Sequence, residues 1–377
     1  MKNLLVGNGF NIQFDKTNYT AQQIVLRVLE NFTRDDFPVH IIVNTPNRMK
    51  GFFGRMFLEA REMLKGKYDS FTTCKAEEES LKAFKERYKS EVKTLRITDI
   101  GYEDYYLIND LIAHKYGIDN KSQHDIRESM KVVYFYAIYN NGEIELLHNN
   151  YSTKLVENLI TYDNIFTTNY DLNIEASTGK EVYHIHGQFD KKRDVYEKGS
   201  FRNQLPDAPI DKIEVDETFF YLYSNALTTY CGQYKEMQLK QHTLANNAID
   251  KLTNSYKKDK KVHLEVDEWL ASDNPLLINI ACGVQEKLKN PKLKFPEDYH
   301  LDKMQGMEGE LDILGLSPWN DFHIFEMIDN SKLRRCNYYY FSEEDNERIK
   351  LLLPKLYKEN RLTFSCVKEY WDKYDEK

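Results

Sequence analysis

The 377-residue chain carries 41% hydrophobic and 30% charged residues and a formal charge of -8. That length asks for one large domain with insertions or for two domains, and the composition excludes a disordered polymer. The negative balance excludes the broad Lys/Arg surface that releases counterions from nucleic acid, so no direct nucleic-acid partner is expected.

Cys74, Cys231, Cys282, Cys336 and Cys366 are scattered without a CxxC pair, which reads as reduced thiols and no zinc module. The chain runs at once into KNLLVGNGF, too short for a signal peptide, and no later apolar run approaches the ~20 residues of a membrane span. A cytoplasmic location and no membrane partner are therefore expected. The 27 tyrosines are expected mostly on half-buried helix faces, and the basic run Ser255 to His263 at a solvated helix end or loop.

In chain order, Asn3 to Val6 read as a short buried strand ending at Gly7. Thr20 and Gln23 form a capping-box pattern before Ile24, Val25, Val28, Leu29 and Phe32, one face of a helix. RMFLEAREML, AEEESLKAFKERYK, YEDYYLINDLIAHKYG and HDIRESMKVVYFYAIY, with apolar residues three or four apart, predict further helices to about Asn150. His40 to Asn44, HIIVN, is open between strand and buried helix. After a short helix through Leu155, Leu159 and Ile160, DNIFTTNYD and EVYHIHG flank Gly179 as strand, turn, short helix and strand. From about Asp190 to Gln305 the pattern is helical and charged, with a loop at NQLPDAPID and Pro296 near its end. Then LDILG, DFHIFEMI, CNYYYF, EEDNERIKLLLPKLY and LTFSC alternate strand with helix.

Strands near Asn3, Asn164, Glu181, Leu311, Cys336 and Leu362, mostly joined by helices, give an α/β class. The expected architecture is a Rossmann-like, doubly wound parallel sheet of about six strands with two large helical insertions. Residues 1–19, 150–190 and 306–377 would form the core, and 20–149 with 191–305 one helical subdomain.

Four motifs fall at strand ends, where an open parallel sheet binds ligands. Gly7-Asn8-Gly9-Phe10-Asn11 allows a tight turn and close backbone approach to a pyrophosphate, or is simply a structural corner. Ile12 stands where G-x-G-x-x-G has its third glycine, and no Walker lysine follows. Thr167-Thr168-Asn169-Tyr170-Asp171 offers uncharged hydrogen-bonding groups and one carboxylate, which could equally cap the next helix. In His184-Ile185-His186-Gly187, strand alternation would put both histidines on one face, as ligand groups or as a satisfied buried pair; metal lacks a partner residue at a usual spacing. Gly315-Leu316-Ser317-Pro318-Trp319-Asn320-Asp321 reads as a ligand turn or an ordinary loop capped by Asn320 or Asp321.

Taken together, GNGF, TTNYD, HIHG and LGLSPWND resemble the sirtuin-like NAD-binding domain of bacterial anti-phage effectors and the related abortive-infection family AbiH. The likeness covers part of the Rossmann-like core and none of the helical insertions. It implies that Gly7, Asn8, Gly9, Phe10 and Asn11 cradle the NAD pyrophosphate and nearby ribose. Thr167, Thr168, Asn169 and Asp171 would surround the nicotinamide ribose, with Thr168 in place of the family's glutamine. His186, directly before Gly187, matches the catalytic His-Gly; Gly315 and Ser317 match the late turn near the adenosine half, with Asp321 beside them.

The resemblance thus implies an NAD-glycohydrolase releasing nicotinamide and ADP-ribose, with NAD as substrate, no metal, and Asn169 and His186 as catalytic residues. Cleavage leaves oxocarbenium-like charge, which needs a dipole and a positioned water; Asn169 can supply both functions, and an imidazole of ordinary pKa about 6.5 can take the proton. The absent four-cysteine module and the altered first loop point away from deacylation and toward the defence branch. An abortive-infection effector would await a signal or partner: a homo-oligomer, or a protein encoded nearby such as an ATPase, an Argonaute-like protein or a nucleotide-processing enzyme. The alternatives are a non-catalytic NAD or ADP-ribose sensor and a protein deacylase.

Overall fold

The computed structural model describes residues 1–89, 93–205, 214–296 and 299–374. Its six strands are β1 (Lys2–Val6), β2 (Asn164–Thr167), β3 (Val182–His184), β4 (Glu308–Leu314), β5 (Lys332–Tyr340) and β6 (Leu362–Cys366). They form one all-parallel sheet in the order β3-β2-β1-β4-β5-β6. This is the doubly wound Rossmann-like fold expected, with its order reversing between β1 and β4.

Side-chain alternation gives each strand two apolar faces, so both must be covered. Leu4, Val6 and Ile165 share one cluster with Phe10, Leu155, Leu159, Ile174 and Tyr370. These come from helices α1 (Gly9–Phe14), α7 (Thr153–Ile160), α8 (Asn173–Thr178) and α17 (Val367–Tyr374). Leu5 and Phe166 enter the opposite cluster with Met304, Ile324, Phe325, Ile349 and Leu356. Those belong to α13 (Leu301–Gln305), α14 (Phe322–Asp329), α15 (Glu343–Leu352) and α16 (Pro354–Lys358). The single helix expected at EEDNERIKLLLPKLY is two, because Pro354 lacks the amide that would continue the first.

Between β1 and β2 run α2 (Ala21–Asn31), α3 (Pro46–Leu64), α4 (Lys75–Tyr88), α5 (Asp104–Tyr116) and α6 (Asn120–Tyr139). Thr20 caps α2, its hydroxyl accepting from the Gln23 amide at 3.3 Å. Phe53 lies 5.1 Å from Tyr105 and 5.8 Å from both Phe32 and Tyr134, ring centre to ring centre. Tyr19, Tyr68, Tyr105, Tyr106, Tyr134, Tyr162 and Tyr230 are all fully buried rather than half-buried on helix faces. His40 to Asn44 is neither strand nor helix but an irregular turn with Val39 and Val43 exposed.

Two compact units emerge: residues 1–188, 227–236 and 300–377, and residues 189–226 and 237–299. This differs from the division read from sequence, which set 20–149 with 191–305. The reason is packing: α6, on which α2 packs, meets the loop after β2, where Phe135 of α6 and Tyr170 have ring centres 5.7 Å apart. The second unit has its own small core, in which Val266, Ala281 and Val284 join α11 (Lys260–Trp269) to α12 (Pro275–Lys289). The basic run spans the exposed junction at Asp259 between α11 and α10 (Gln241–Lys258). Residues 206–211 of NQLPDAPID lie outside the described residues. Among the described residues no helix is long and apolar enough to cross a membrane.

Parallel register aligns the strand ends. Val6 pairs with Thr167 and Leu314, Thr167 with His184, and Leu314 with Tyr339. Every motif loop therefore leaves the sheet from one row. At the reversal point the Gly7 amide donates to the Leu314 carbonyl (3.0 Å) and the Gly9 amide to the Gly315 carbonyl (2.8 Å). A Cβ on Gly315, whose φ is +72°, would sit 2.5 Å from the Phe10 nitrogen. Gly179 also has positive φ, +67°, but open space around it. Gly179→Ala should therefore show only the left-handed strain of about 1–2 kcal/mol, whereas Gly315→Ala should cost clearly more. Urea unfolding of the two variants measures the difference; equal losses would mean that the loops do not interlock.

Candidate active site

A cavity of about 850 Å³ opens over the carboxyl ends of the strands, within the size range of small-molecule sites. Asn8, Gly9, Asn11, Thr168, Asn169, Asp171, His186, Gly315, Ser317 and Asp321 are on its wall. Gly7, Phe10, Thr167 and Gly187 are buried and not among its lining residues. The Phe10 ring belongs to the aromatic core, 5.5 Å from Phe14, Tyr151 and Trp371.

The first two loops are tied by a buried amide–carboxylate contact. Asn11 Nδ2 donates to Asp171 Oδ2 at 2.6 Å, while Asp171 Oδ1 accepts from Asn173 Nδ2 (2.5 Å) and from the Asn173 amide (3.2 Å). Burial pushes the Asp171 carboxyl up from its ordinary value, against the pull of these donors. Asp171 thus serves the start of α8 and the β1 loop together. Asn169 is fixed through its backbone: its amide donates to Thr167 Oγ1 (3.0 Å), and its carbonyl accepts from His184 Nδ1 (2.9 Å). Its Nδ2 reaches 3.5 Å from the Gly7 carbonyl, which leaves the side chain on the cavity wall.

The two histidines have separate surroundings. β3 stops at His184, so strand alternation does not carry on to His186 and the shared-face expectation fails. Burial pulls the His184 pKa down, but the Glu175 carboxylate, 2.7 Å from Nε2, outweighs it and raises the value. His184 is a brace for Asn169. His186 sits in a turn ahead of Gly187, whose φ of +79° suits glycine, and its carbonyl accepts from the Leu227 amide at 2.8 Å. Its ring is 2% exposed and Nε2 has no hydrogen-bond partner. Burial, and then the charge of Lys235, hold its pKa well below the ordinary histidine value, so it is a neutral base at pH 7.

Around His186 lies a charged cluster. Lys235 Nζ is 2.6 Å from Glu103 Oε1 and 3.1 Å from Asp321 Oδ1, with only 1% of its side chain exposed. Asp321 Oδ1 is 3.7 Å from His186 Nε2, and the His323 ring stacks on that of His186 at 5.7 Å. Cys231 Sγ donates to Glu103 Oε2 at 2.9 Å. One lysine cannot neutralise two buried carboxylates. Burial disfavours both charges, but Lys235 overcomes it at Asp321 and lowers that pKa, while Glu103 is pushed up by burial despite Lys235, with Asp321 adding to the rise. Although His186, Asp321 and His323 come close enough to meet a cation, the Lys235 ammonium already occupies the Asp321 carboxylate and opposes a second positive charge.

Asp321 stands at the N-cap of α14 but makes no side-chain cap hydrogen bond, and its φ is +53°. The capping alternative fails because the carboxylate is turned to Lys235. Ser317 is exposed at the rim, its hydroxyl accepting from the Trp319 amide at 3.3 Å. Arg87 fixes the same loop by donating to the Trp319 carbonyl at 2.9 Å.

Sequence reading missed Glu103, Lys235, Cys231 and His323. Glu103 and Lys235 lie in segments that read as amphipathic helix, and nothing local distinguishes them from surface charges. His323, two residues after Asp321, carried the one visible signal.

Removing one partner of a buried ion pair strands the other. Lys235→Met should destabilise the protein by about 3–5 kcal/mol, while Arg334→Met, at the exposed Arg334–Glu310 pair, should leave unfolding unchanged. Urea denaturation checks both; equal effects would remove the buried pair from the account.

Comparison with family models, curated proteins and solved structures gives no match to this chain.

Proposed function

We propose that this protein hydrolyses the nicotinamide–ribose bond of NAD. The observation that carries the proposal is the presence of Asn169 and a neutral, buried His186 on one wall of a cavity at the strand-order reversal. A dinucleotide is the ligand suited to that place, its pyrophosphate meeting loop backbone and its sugars the polar side chains.

In the reaction, the C1′–N bond breaks and its electron pair leaves with nicotinamide, which becomes neutral. Positive charge develops on the ribose ring, where the Asn169 amide dipole stabilises it and holds a water. The water oxygen bonds to C1′, and its proton passes to His186 and then to solvent. The sum is NAD⁺ plus water giving nicotinamide, ADP-ribose and a proton. By its resemblance to the sirtuin-like effectors, the chain would serve in abortive infection, its turnover released by a signal or partner.

The purified protein, alone and with its operon neighbour, should release nicotinamide from NAD. NAD binding without turnover in either case would favour the sensor reading, and release only with an acyl-lysine peptide the deacylase. Asn169→Ala and His186→Ala should each lower kcat by roughly 10²–10⁴-fold without loss of fold, as checked by circular dichroism. Full activity in either would remove that residue from the chemistry.

A depressed histidine pKa sets the sign of the pH dependence. His186 stays neutral until pH falls below its lowered value, so the acid limb of kcat/KM should lie below the ordinary histidine pKa of about 6.5. A pH–rate profile with its acid limb above 7 would contradict this environment for His186.

A further inference from the structure

His186 Nε2 is buried without a hydrogen-bond partner, and Asp321 Oδ1 lies 3.7 Å away. That same oxygen is 3.1 Å from Lys235 Nζ. Asp321 gives up its cap hydrogen bond and takes a left-handed backbone to be there, and Lys235 is itself fixed from the far side by Glu103 at 2.6 Å. Such a costly set of buried charges is unnecessary for covering a sheet edge.

We propose that Asp321 and Lys235 are positioning residues for His186: Lys235 anchors the Asp321 carboxylate, which holds the imidazole as its Nε2–H tautomer and so presents Nδ1 as the proton-accepting nitrogen. This rests on the NAD-hydrolysis reading. The 3.7 Å separation is that of a catalytic contact that tightens when substrate fills the site. A carboxylate partner selects the protonated nitrogen, leaving the other as base.

The groups facing His186 are Lys235 from α9 (Gln233–Leu239), Asp321 and His323 at the start of α14, and Glu103 with Cys231 behind Lys235. Lys235 and His323 disfavour an imidazolium there, whereas Asp321 favours it. The two positioning residues therefore act on His186 with opposite sign. Lys235 reaches the site on residues 227–236, whose neighbours on both sides in the chain belong to the second unit. The Leu227 amide bonds the His186 carbonyl (2.8 Å), and the Tyr170 hydroxyl bonds the Leu227 carbonyl (2.9 Å).

The test is a ¹⁵N-histidine NMR titration of the full chain, with the His186 signals assigned by their loss in His186→Asn. The wild type should show a single Nε2–H tautomer. Asp321→Asn should remove that preference and lower the titration midpoint; Lys235→Met should raise it. Should the single variants fail to fold, the uncharged Lys235→Met/Asp321→Asn pair should still lose the single tautomer. An unaltered His186 tautomer and midpoint in the folded variants overturns the proposal.

This measurement needs no turnover, so it stands even where nicotinamide release is nil. In the active enzyme, Asp321→Asn should lower kcat by about 10²-fold with KM little changed. Its acid limb should move to lower pH and that of Lys235→Met to higher pH; shifts in the same direction would also overturn the assignment.

Discussion

The site depends on a backbone contact between two loops. Where the strand order reverses, the turns after β1 and β4 lie so close that Gly7, Gly9 and Gly315 have no room for a Cβ between them. Two amide–carbonyl hydrogen bonds close the contact. Side chains there would force the loops apart, and the register that aligns Val6 with Thr167 and Leu314 would no longer deliver the motifs to one place. The glycines read from sequence as a phosphate cradle have a structural role: they let the crevice wall be made of backbone.

On this floor the protein sets two kinds of polar group. Two hydrogen-bonded sets, Asn11 with Asp171 and Asn169 with His184, fix loop geometry. Lys235, Glu103 and Asp321 form a buried electrostatic group beside His186. Burial works against every charge in it, and Lys235 outweighs burial at Asp321 but not at Glu103. An uncharged imidazole beside that ion pair can act as a base without first losing a proton.

The centre of the sheet was legible because β1 and β2 are short, largely apolar runs that end at buried positions just before polar loops. Asn169 and His186 could be picked out since each stands two residues past a strand end, and Asp171 and Asp321 since they lie in the loops that follow β2 and β4. The parts that were not legible arise from distance in the chain. Glu103 and Lys235 meet through a contact spanning 132 residues, and no local period encodes it. HIIVN has the composition of a strand, yet it forms an irregular turn. The tyrosine faces were misjudged for a related reason: Tyr105, Tyr106 and Tyr134 are buried where α5 packs on α6, and Tyr19, Tyr68, Tyr162 and Tyr230 are buried outside the helices.

On the proposed reading, the crevice between the β1 and β4 loops holds NAD with its scissile bond at Asn169 and His186. A crystal structure of the His186→Ala protein soaked with NAD tests this most directly. The account predicts an intact dinucleotide with the nicotinamide ribose beside Asn169 and the pyrophosphate against the Gly7–Asn11 turn. NAD bound elsewhere on the molecule, or the reverse orientation in this crevice, would contradict it.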